Sequence, residues 1–171
     1  QQFYVRYVSP ERAGSFKRDG TVLTNMSDNP EWLRHTRAVN QASNFKAASA
    51  MLFREAETLY LRRLANTPEI RTDLTRNFQT DRLSKINQLL TNISLEMGNV
   101  DYEFRSLVDG QIIDPAQISS GESEAVALAA EIIYFFDTID PEKFNVLLLD
   151  EPDVHLHPDL QARLGKLIIK I

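Results

Sequence analysis

Two adjacent carboxylates, Asp150 and Glu151, follow the apolar run Val146–Leu149. Such a run is typical of a buried parallel strand. Side chains that follow a strand of this kind lie at the carboxyl edge of the sheet, where α/β proteins bind ligands. Carboxylates at that edge can hold Mg²⁺ and polarise an attacking water. A strand that merely ends in acidic turn residues is the alternative for this segment alone.

A second segment, Ile118–Ser123, has the composition of a helix start with an anion site. Ser119 and Glu122 have the spacing of a capping box, and taken alone this reading is favoured. The free N–H groups of a helix N-terminus also bind phosphate, and Gly121 would permit a close approach. Both interpretations use the same residues, so a capping box does not exclude a phosphate site.

His155 and His157 form a His-x-His pair. Imidazoles are common metal ligands, but His35 is the only other histidine and there is no cysteine to complete a site. The ligand count therefore disfavours a metal centre.

The elements that must position these residues follow from the apolar pattern. Phe3–Val8 predicts a strand, and the breakers up to Pro30 predict a loop. From about Pro30 to Met97 the period is helical, with Pro68 placed at a helix start. Two helical faces are predicted, one with Phe53, Ala56, Tyr60 and Leu64, the other with Leu83, Ile86, Leu90, Ile93 and Met97.

After Gly98 the period changes to two, which predicts a hairpin that turns at Asp109-Gly110 into Gln111–Ile113. A long apolar helix is predicted from about Ser120 to Thr138, then a strand over residues 145–149 and a last helix from about Pro158. The sequence therefore indicates an α/β protein.

Composition excludes several classes. No cysteine is present, which excludes disulfides and thiolate metal sites. No secretory signal is visible, and the longest apolar run, residues 125–136, contains Glu131 and is too short to span a bilayer. These features predict a soluble, cytoplasmic protein without membrane contact.

Charge is unevenly distributed along the chain. Residues 86–171 carry five Lys/Arg and fifteen Asp/Glu, whereas residues 46–85 carry eight and five. The basic residues of the helical region favour a solvated surface over nucleic-acid contact, which stays open; they are Arg54, Arg62, Arg63, Arg71, Arg76, Arg82 and Lys85.

Taken together, the two chemical segments resemble ABC-type ATPases. Ile-Ser-Ser-Gly-Glu (residues 118–122) resembles the signature motif of that family, and Leu-Leu-Leu-Asp-Glu-Pro (residues 147–152) resembles its Walker B motif with the catalytic glutamate. Residues 153–161 lie where the D-loop belongs. The His-Leu-His-Pro sequence there is similar to the RecF-like, SMC-like and OLD-type branch.

The resemblance implies a role for each matching residue. Asp150 would hold Mg²⁺ and Glu151 would be catalytic, both in cis. In trans, the γ-phosphate of ATP would meet the signature residues, which are Ser119, Ser120, Gly121 and Glu122. Asp153, His155 and His157 would line the dimer interface. Arg12, in a Pro-x-Arg sequence after a strand, would approach nucleotide or partner, with an ordinary surface arginine as the alternative.

The implied fold is a partial ABC-type P-loop NTPase head, with a parallel sheet and helices, a helical insert and a β-hairpin. We expect ATPase-lobe strand and loop over 1–29, the insert over 30–98 and the signature helix, Walker B strand and D-loop over 99–171. No Gly-x-x-x-x-Gly-Lys-Ser/Thr occurs, so the phosphate-binding loop must come from a segment outside these residues. We therefore expect the strand Val146–Leu149 to lack both parallel neighbours. The 171 residues would be a piece of a longer polypeptide or one of two chain fragments that complement each other, and the sequence leaves both open.

The implied function is binding and hydrolysis of ATP, with Mg²⁺, by a dimerising head. The heads would switch a complex in DNA repair or anti-phage defence, of the OLD, Septu or retron-linked kind with a nuclease effector. A second head and the effector are the expected partners, and nucleic acid is a further one. The alternatives are an ATP-gated scaffold that does not hydrolyse and an ABC transporter ATPase.

Overall fold

The computed structural model describes residues 2–38, 42–67 and 75–170. In chain order its elements are β1 (Phe3–Val8), α1 (Gly20–Asp28), α2 (Trp32–Ala38), a 3-10 turn (Ala42–Asn44), α3 (Phe45–Asn66), a π-helical turn (Gln79–Leu83), α4 (Ser84–Asn87), β2 (Ile93–Met97), β3 (Tyr102–Ser106), β4 (Ile112–Ile113), a 3-10 turn (Pro115–Gln117), α5 (Ser120–Asp137), β5 (Phe144–Leu149) and α6 (Pro158–Lys170). The predicted α/β class is confirmed.

β1 and β5 form a two-stranded parallel sheet, in register from Phe3 opposite Phe144 to Val8 opposite Leu149. The expectation that β5 lacks both parallel neighbours is therefore wrong. The expectation of a buried strand over residues 145–149 is also wrong, because Leu148 is 49% exposed. Only one face of the sheet packs against the helices, and the face that carries Phe3, Val5 and Phe144 is open.

α5 is the central helix of the core. Ala125 to Ala130 are fully buried, as expected for a helix that is surrounded on most sides. The helix packs on α3, on α6 and on the inner face of the sheet, all within one hydrophobic cluster. The predicted apolar face of α3 is confirmed for Phe53, Ala56 and Tyr60, each at most 5% exposed.

A buried ion cluster ties the sheet to three helices. Glu131 of α5 has no exposed surface and accepts hydrogen bonds from Arg6 of β1, Arg37 of α2 and Ser49 of α3. Burial alone would raise the pKa of Glu131, but the two guanidinium groups lower it to about 2. Glu131 is therefore ionised in the folded protein at neutral pH.

The second sheet is antiparallel, in the order β2-β3-β4. The predicted hairpin is confirmed as β3 and β4, and Gly110 takes the positive φ of 71° that its turn requires. The prediction of helix as far as Met97 is wrong, because residues 93–97 form β2 and pair with β3. The preceding α-helix ends at Asn87, whose side chain bonds both the N–H and the carbonyl of Leu95 and so ties the helix end to β2.

The predicted loop before Pro30 is also wrong in part, because Gly20–Asp28 is helical. The Asp19 side chain accepts a hydrogen bond from the N–H of Val22 at 2.9 Å and caps this helix. The predicted helix start at Pro68 lies outside the described residues. None of the described helices has both the length and the apolarity that a bilayer crossing requires.

Candidate functional site

Asp150 and Glu151 directly follow β5 at the carboxyl edge of the parallel sheet, and both are exposed. The Asp150 N–H donates to the carbonyl of Val8 at 3.0 Å, so the ladder extends one residue past β5. The hydroxyl of Tyr7 donates to Asp150 Oδ2 at 2.8 Å. Tyr7 lies opposite Leu148 on β5, and this register places its ring on the same face of the sheet as Asp150.

The hydrogen bond from Tyr7 fixes one oxygen of the Asp150 carboxylate. It also raises the pKa of the Tyr7 hydroxyl, because removing that proton would leave two negative oxygens in contact. The sequence did not identify Tyr7 as a site residue. Its only signal was a polar tip on the predicted first strand, and its relation to Asp150 depends on pairing between residues 143 positions apart.

Glu151 has a backbone φ of 45°, in the left-handed region that residues other than glycine rarely adopt. Such conformations persist only where surrounding contacts hold them, and they cluster at functional sites. Here the carbonyl of Glu151 accepts a hydrogen bond from Arg12 Nη2 at 2.8 Å. The carbonyl of Asp150 accepts one from Arg12 Nη1 at 3.0 Å. Arg12 therefore holds the backbone of both acidic residues.

Arg12 itself lies inside the protein, with 6% of its surface exposed. Its Nε donates to Glu124 Oε1 at 2.7 Å, and its Nη1 also donates to the carbonyl of Ser9 at 2.9 Å. The alternative of an ordinary surface arginine is therefore wrong. The predicted contact of Arg12 with nucleotide or partner stays a prediction.

The N-terminus of α5 carries the signature-like residues. Ser119 is the N-cap, since its hydroxyl accepts from the Glu122 N–H at 3.2 Å and donates to Glu122 Oε2 at 2.8 Å. Glu122 is 8% exposed and is turned inward, whereas Ser119 and Ser120 are exposed. The capping interpretation is thus confirmed, and the exposed start of the helix remains open to an anion.

Gly121 lies against the loop that follows β5 and its two carboxylates. A Cβ at Gly121 would be 3.4 Å from the carbonyl oxygen of His155 and 3.4 Å from Leu160 Cδ1. His155 has a positive φ of 67°, while the buried side chain of Leu156 anchors the loop. The structure therefore brings the signature glycine and the D-loop-like segment together within one chain.

Asp153, His155 and His157 are exposed on this loop. Within residues 2–38, 42–67 and 75–170, no group of three His, Cys, Asp or Glu side chains is arranged to hold a metal ion. A magnesium ion does not need such a group. It usually binds one or two carboxylates, waters and substrate phosphates, so the exposed and oriented Asp150 fits this requirement.

The basic residues of the helical region are largely paired with acids. Arg54 contacts Asp101, Arg76 contacts Asp81, and Arg63 and Arg82 both contact Asp137. Their charges are thus partly neutralised within the protein, which favours the solvated-surface interpretation over a nucleic-acid footprint. Arg71 lies outside the described residues.

The parallel strands β1 and β5, the helices packed against them and the Asp-Glu pair at their carboxyl edge are consistent with a P-loop NTPase-like domain. Residues 6–171 match the model of the family described as "AAA domain, putative AbiEii toxin, Type IV TA system". The chain belongs to this family. Membership supports nucleotide binding and, in general, ATP hydrolysis. No curated protein and no solved structure matches the chain significantly.

Proposed function

We propose that this domain binds and hydrolyses ATP as one head of a dimeric ABC-type ATPase. The observation that carries the proposal is the Asp150–Glu151 pair. These carboxylates are exposed at the carboxyl edge of the sheet, and their backbone is held by a buried arginine. A merely acidic turn after a strand would not need a left-handed Glu151 held on its carbonyl.

Each residue has a role in this proposal. Asp150 holds Mg²⁺, with one of its oxygens oriented by Tyr7. When bound, Mg²⁺ neutralises charge on the β- and γ-phosphates. Glu151 polarises the attacking water, and the enzyme gains most of its rate from positioning and electrostatics.

The signature residues act on the nucleotide of the second head. Ser119 and Ser120 are exposed at the N-terminus of α5, where the helix dipole and free N–H groups favour a γ-phosphate. Gly121 has no side chain, so the start of the helix can approach the γ-phosphate closely. Asp153, His155 and His157 face the second head, because their loop lies directly beside Gly121.

The proposal needs a phosphate-binding loop. No Gly-x-x-x-x-Gly-Lys-Ser/Thr occurs in the 171 residues, and this motif is the one that cradles the β- and γ-phosphates in P-loop NTPases. We therefore propose that another segment of the polypeptide, or another chain, contributes it. The intact mass of the purified protein, compared with 19.5 kDa, distinguishes these two sources.

We place the heads in a cytoplasmic complex of the RecF, SMC and OLD branch, in which closure and opening switch an effector. We choose a defence setting over DNA repair, in line with the family description, which names a putative toxin of a type IV toxin–antitoxin system. The nuclease effector rests on the resemblance of the motifs alone. Direct contact with nucleic acid is a smaller part of the proposal, because the arginines of the helical region are mostly paired.

The test compares phosphate release and ATP binding, in Mg²⁺, for the complete polypeptide and three variants. Glu151→Gln should lower the rate by about 100-fold or more and retain ATP binding. Asp150→Ala should weaken Mg²⁺-dependent nucleotide binding. Glu142→Gln is the matched control, because Glu142 is an exposed carboxylate before the opposite end of β5, and it should leave both quantities unchanged.

The alternatives give different results. Equal and negligible phosphate release by wild type and Glu151→Gln, together with tight ATP binding, would support an ATP-gated scaffold instead of an ATPase. Absence of ATP binding by the complete wild-type protein would overturn both interpretations.

A further inference from the structure

Each of the three guanidinium nitrogens of Arg12 donates hydrogen bonds, and each has its own acceptors. Nε points to Glu124, Nη1 to the carbonyls of Ser9 and Asp150, and Nη2 to the carbonyl of Glu151. All four distances lie between 2.7 and 3.0 Å. A buried charge is tolerated only where its donors are satisfied. Arg12 meets that condition by joining three separate segments of the chain.

Two of these contacts act on the acidic residues at the end of β5. The regular ladder has ended there, so the carbonyls of Asp150 and Glu151 have no strand partner to fix them. Arg12 donates to both carbonyls, and the carbonyl of Glu151 also accepts from the N–H of Val154 at 3.2 Å. The left-handed φ of Glu151 sets the direction in which its side chain leaves the backbone. A donor that fixes this backbone therefore fixes where the side chain begins.

The third contact reaches the signature helix. Glu124 is 3% exposed and lies in α5, three residues after Gly121. The helix carries both residues as one rigid unit. A displacement at the start of α5 is therefore passed by Glu124 and Arg12 to the backbone of Glu151.

We propose that Arg12 is a positioning residue, which holds the Glu151 carboxylate in its hydrolytic position and links it to the signature helix through Glu124. This inference rests on the proposed function. In the dimer the signature of one head serves the nucleotide of the second head, whereas Glu151 serves its own. Arg12 would then couple the two sites through one head.

The test uses Arg12→Lys in the complete polypeptide. Lysine keeps the charge, but its three donors share one nitrogen and cannot reproduce the four hydrogen bonds that Arg12 makes from three separate nitrogens. The matched control is Arg6→Lys, because Arg6 is also buried and also pairs with a glutamate of α5, Glu131, but has no hydrogen bond to residues 150 and 151. Thermal unfolding of both variants serves to check that they are folded at the assay temperature.

Arg12→Lys should lower kcat for ATP hydrolysis about 10- to 100-fold with little change in KM, since displacement of a catalytic group by about 1 Å has an effect of this size. Arg6→Lys should retain kcat. In a Glu151→Gln background, Arg12→Lys should lower the residual rate less than about twofold, because residues that act as a unit are not additive.

A second readout does not depend on activity. Hydrogen exchange of the amides in residues 150–157 should accelerate in Arg12→Lys and stay unchanged in Arg6→Lys. The inference is overturned if Arg12→Lys and Arg6→Lys change kcat and hydrogen exchange to the same extent. It is also overturned if Arg12→Lys lowers the residual rate of Glu151→Gln by the same factor as it lowers the wild-type rate. If wild-type hydrolysis does not depend on Glu151, the proposed function itself is overturned. If hydrolysis depends on Glu151 but the amides of residues 150–157 exchange normally in Arg12→Lys, only the positioning role of Arg12 is overturned.

Discussion

Removal of the carboxylate from the buried Glu131 cluster should destabilise the protein strongly. Glu131→Gln removes the negative charge between Arg6 and Arg37, whose side chains are 10% and 7% exposed. Arg37 Nε already has no hydrogen-bond partner, so the cluster has no spare acceptor. Leaving two buried guanidinium groups without their carboxylate should cost about 3 to 5 kcal/mol, a large part of a total stability of about 5 to 15 kcal/mol.

Urea unfolding measures this loss, followed by circular dichroism and by the fluorescence of Trp32, the one tryptophan in the sequence. Glu31→Gln is the matched control. Glu31 also contacts an arginine at 2.6 Å, Arg34, but the two side chains are 65% and 83% exposed. The control should change the free energy of unfolding by less than about 1 kcal/mol, because exposed ion pairs contribute little.

The same cluster predicts how stability depends on pH. The pKa of Glu131 is about 2 in the folded protein and about 4.3 in an unfolded chain. A depressed folded pKa adds stability that is present above the unfolded pKa and is lost as pH falls through the folded one. The wild type should therefore lose about 3 kcal/mol of Glu131-dependent stability between about pH 5 and pH 2.

Glu131→Gln removes this titration, so its stability should fall less steeply than that of the wild type over the same range. The reasoning is refuted if Glu131→Gln destabilises no more than Glu31→Gln, or if the variant and the wild type have parallel pH profiles between pH 5 and pH 2.

Three further substitutions test local contacts of the site. Tyr7→Phe removes the donor to Asp150 and should raise the Mg²⁺ concentration for half-maximal ATP binding about fivefold, the effect of one hydrogen bond of about 1 kcal/mol; a Mg²⁺ titration unchanged from wild type would contradict this. Ser119→Ala removes the N-cap of α5 and should lower the free energy of unfolding by about 1 kcal/mol in urea; no loss would show that the cap is dispensable. Gly121→Ala places a methyl group 3.4 Å from the His155 carbonyl and should keep ATP binding, whereas Gly121→Asp should displace the loop and block closure; normal ATP-dependent dimerisation of Gly121→Asp would count against the trans role.

The elements with strong local patterns were predictable from the sequence. The period of two predicted the β3–β4 hairpin, and the apolar run with its capping residues predicted α5. The strands Phe3–Val8 and residues 145–149 were also predicted one by one. Their pairing was not, because residues about 140 positions apart carry no local signal for a common sheet.

The errors have physical reasons. Residues 93–97 fit both a helical face and a strand, and pairing with β3 decides for the strand. Asp19-Gly20 indicated a turn, yet Asp19 caps α1. The motifs indicated Asp150 and Glu151, but the burial of Arg12 was hidden, since its partner Glu124 is 112 positions away.

The central claim is that two heads contribute complementary halves of each ATP site, and mixing two inactive variants tests it most directly. Glu151→Gln should inactivate the half of the site that supplies the catalytic carboxylate. Ser120→Arg, at an exposed position of the helix start, should inactivate the half that supplies the signature residues. Each variant alone should hydrolyse ATP negligibly. In a 1:1 mixture about half of the dimers pair one variant with the other and contain one intact site, so about a quarter of the wild-type rate should return. A mixture as inactive as its components, or full activity of Ser120→Arg alone, would contradict the account.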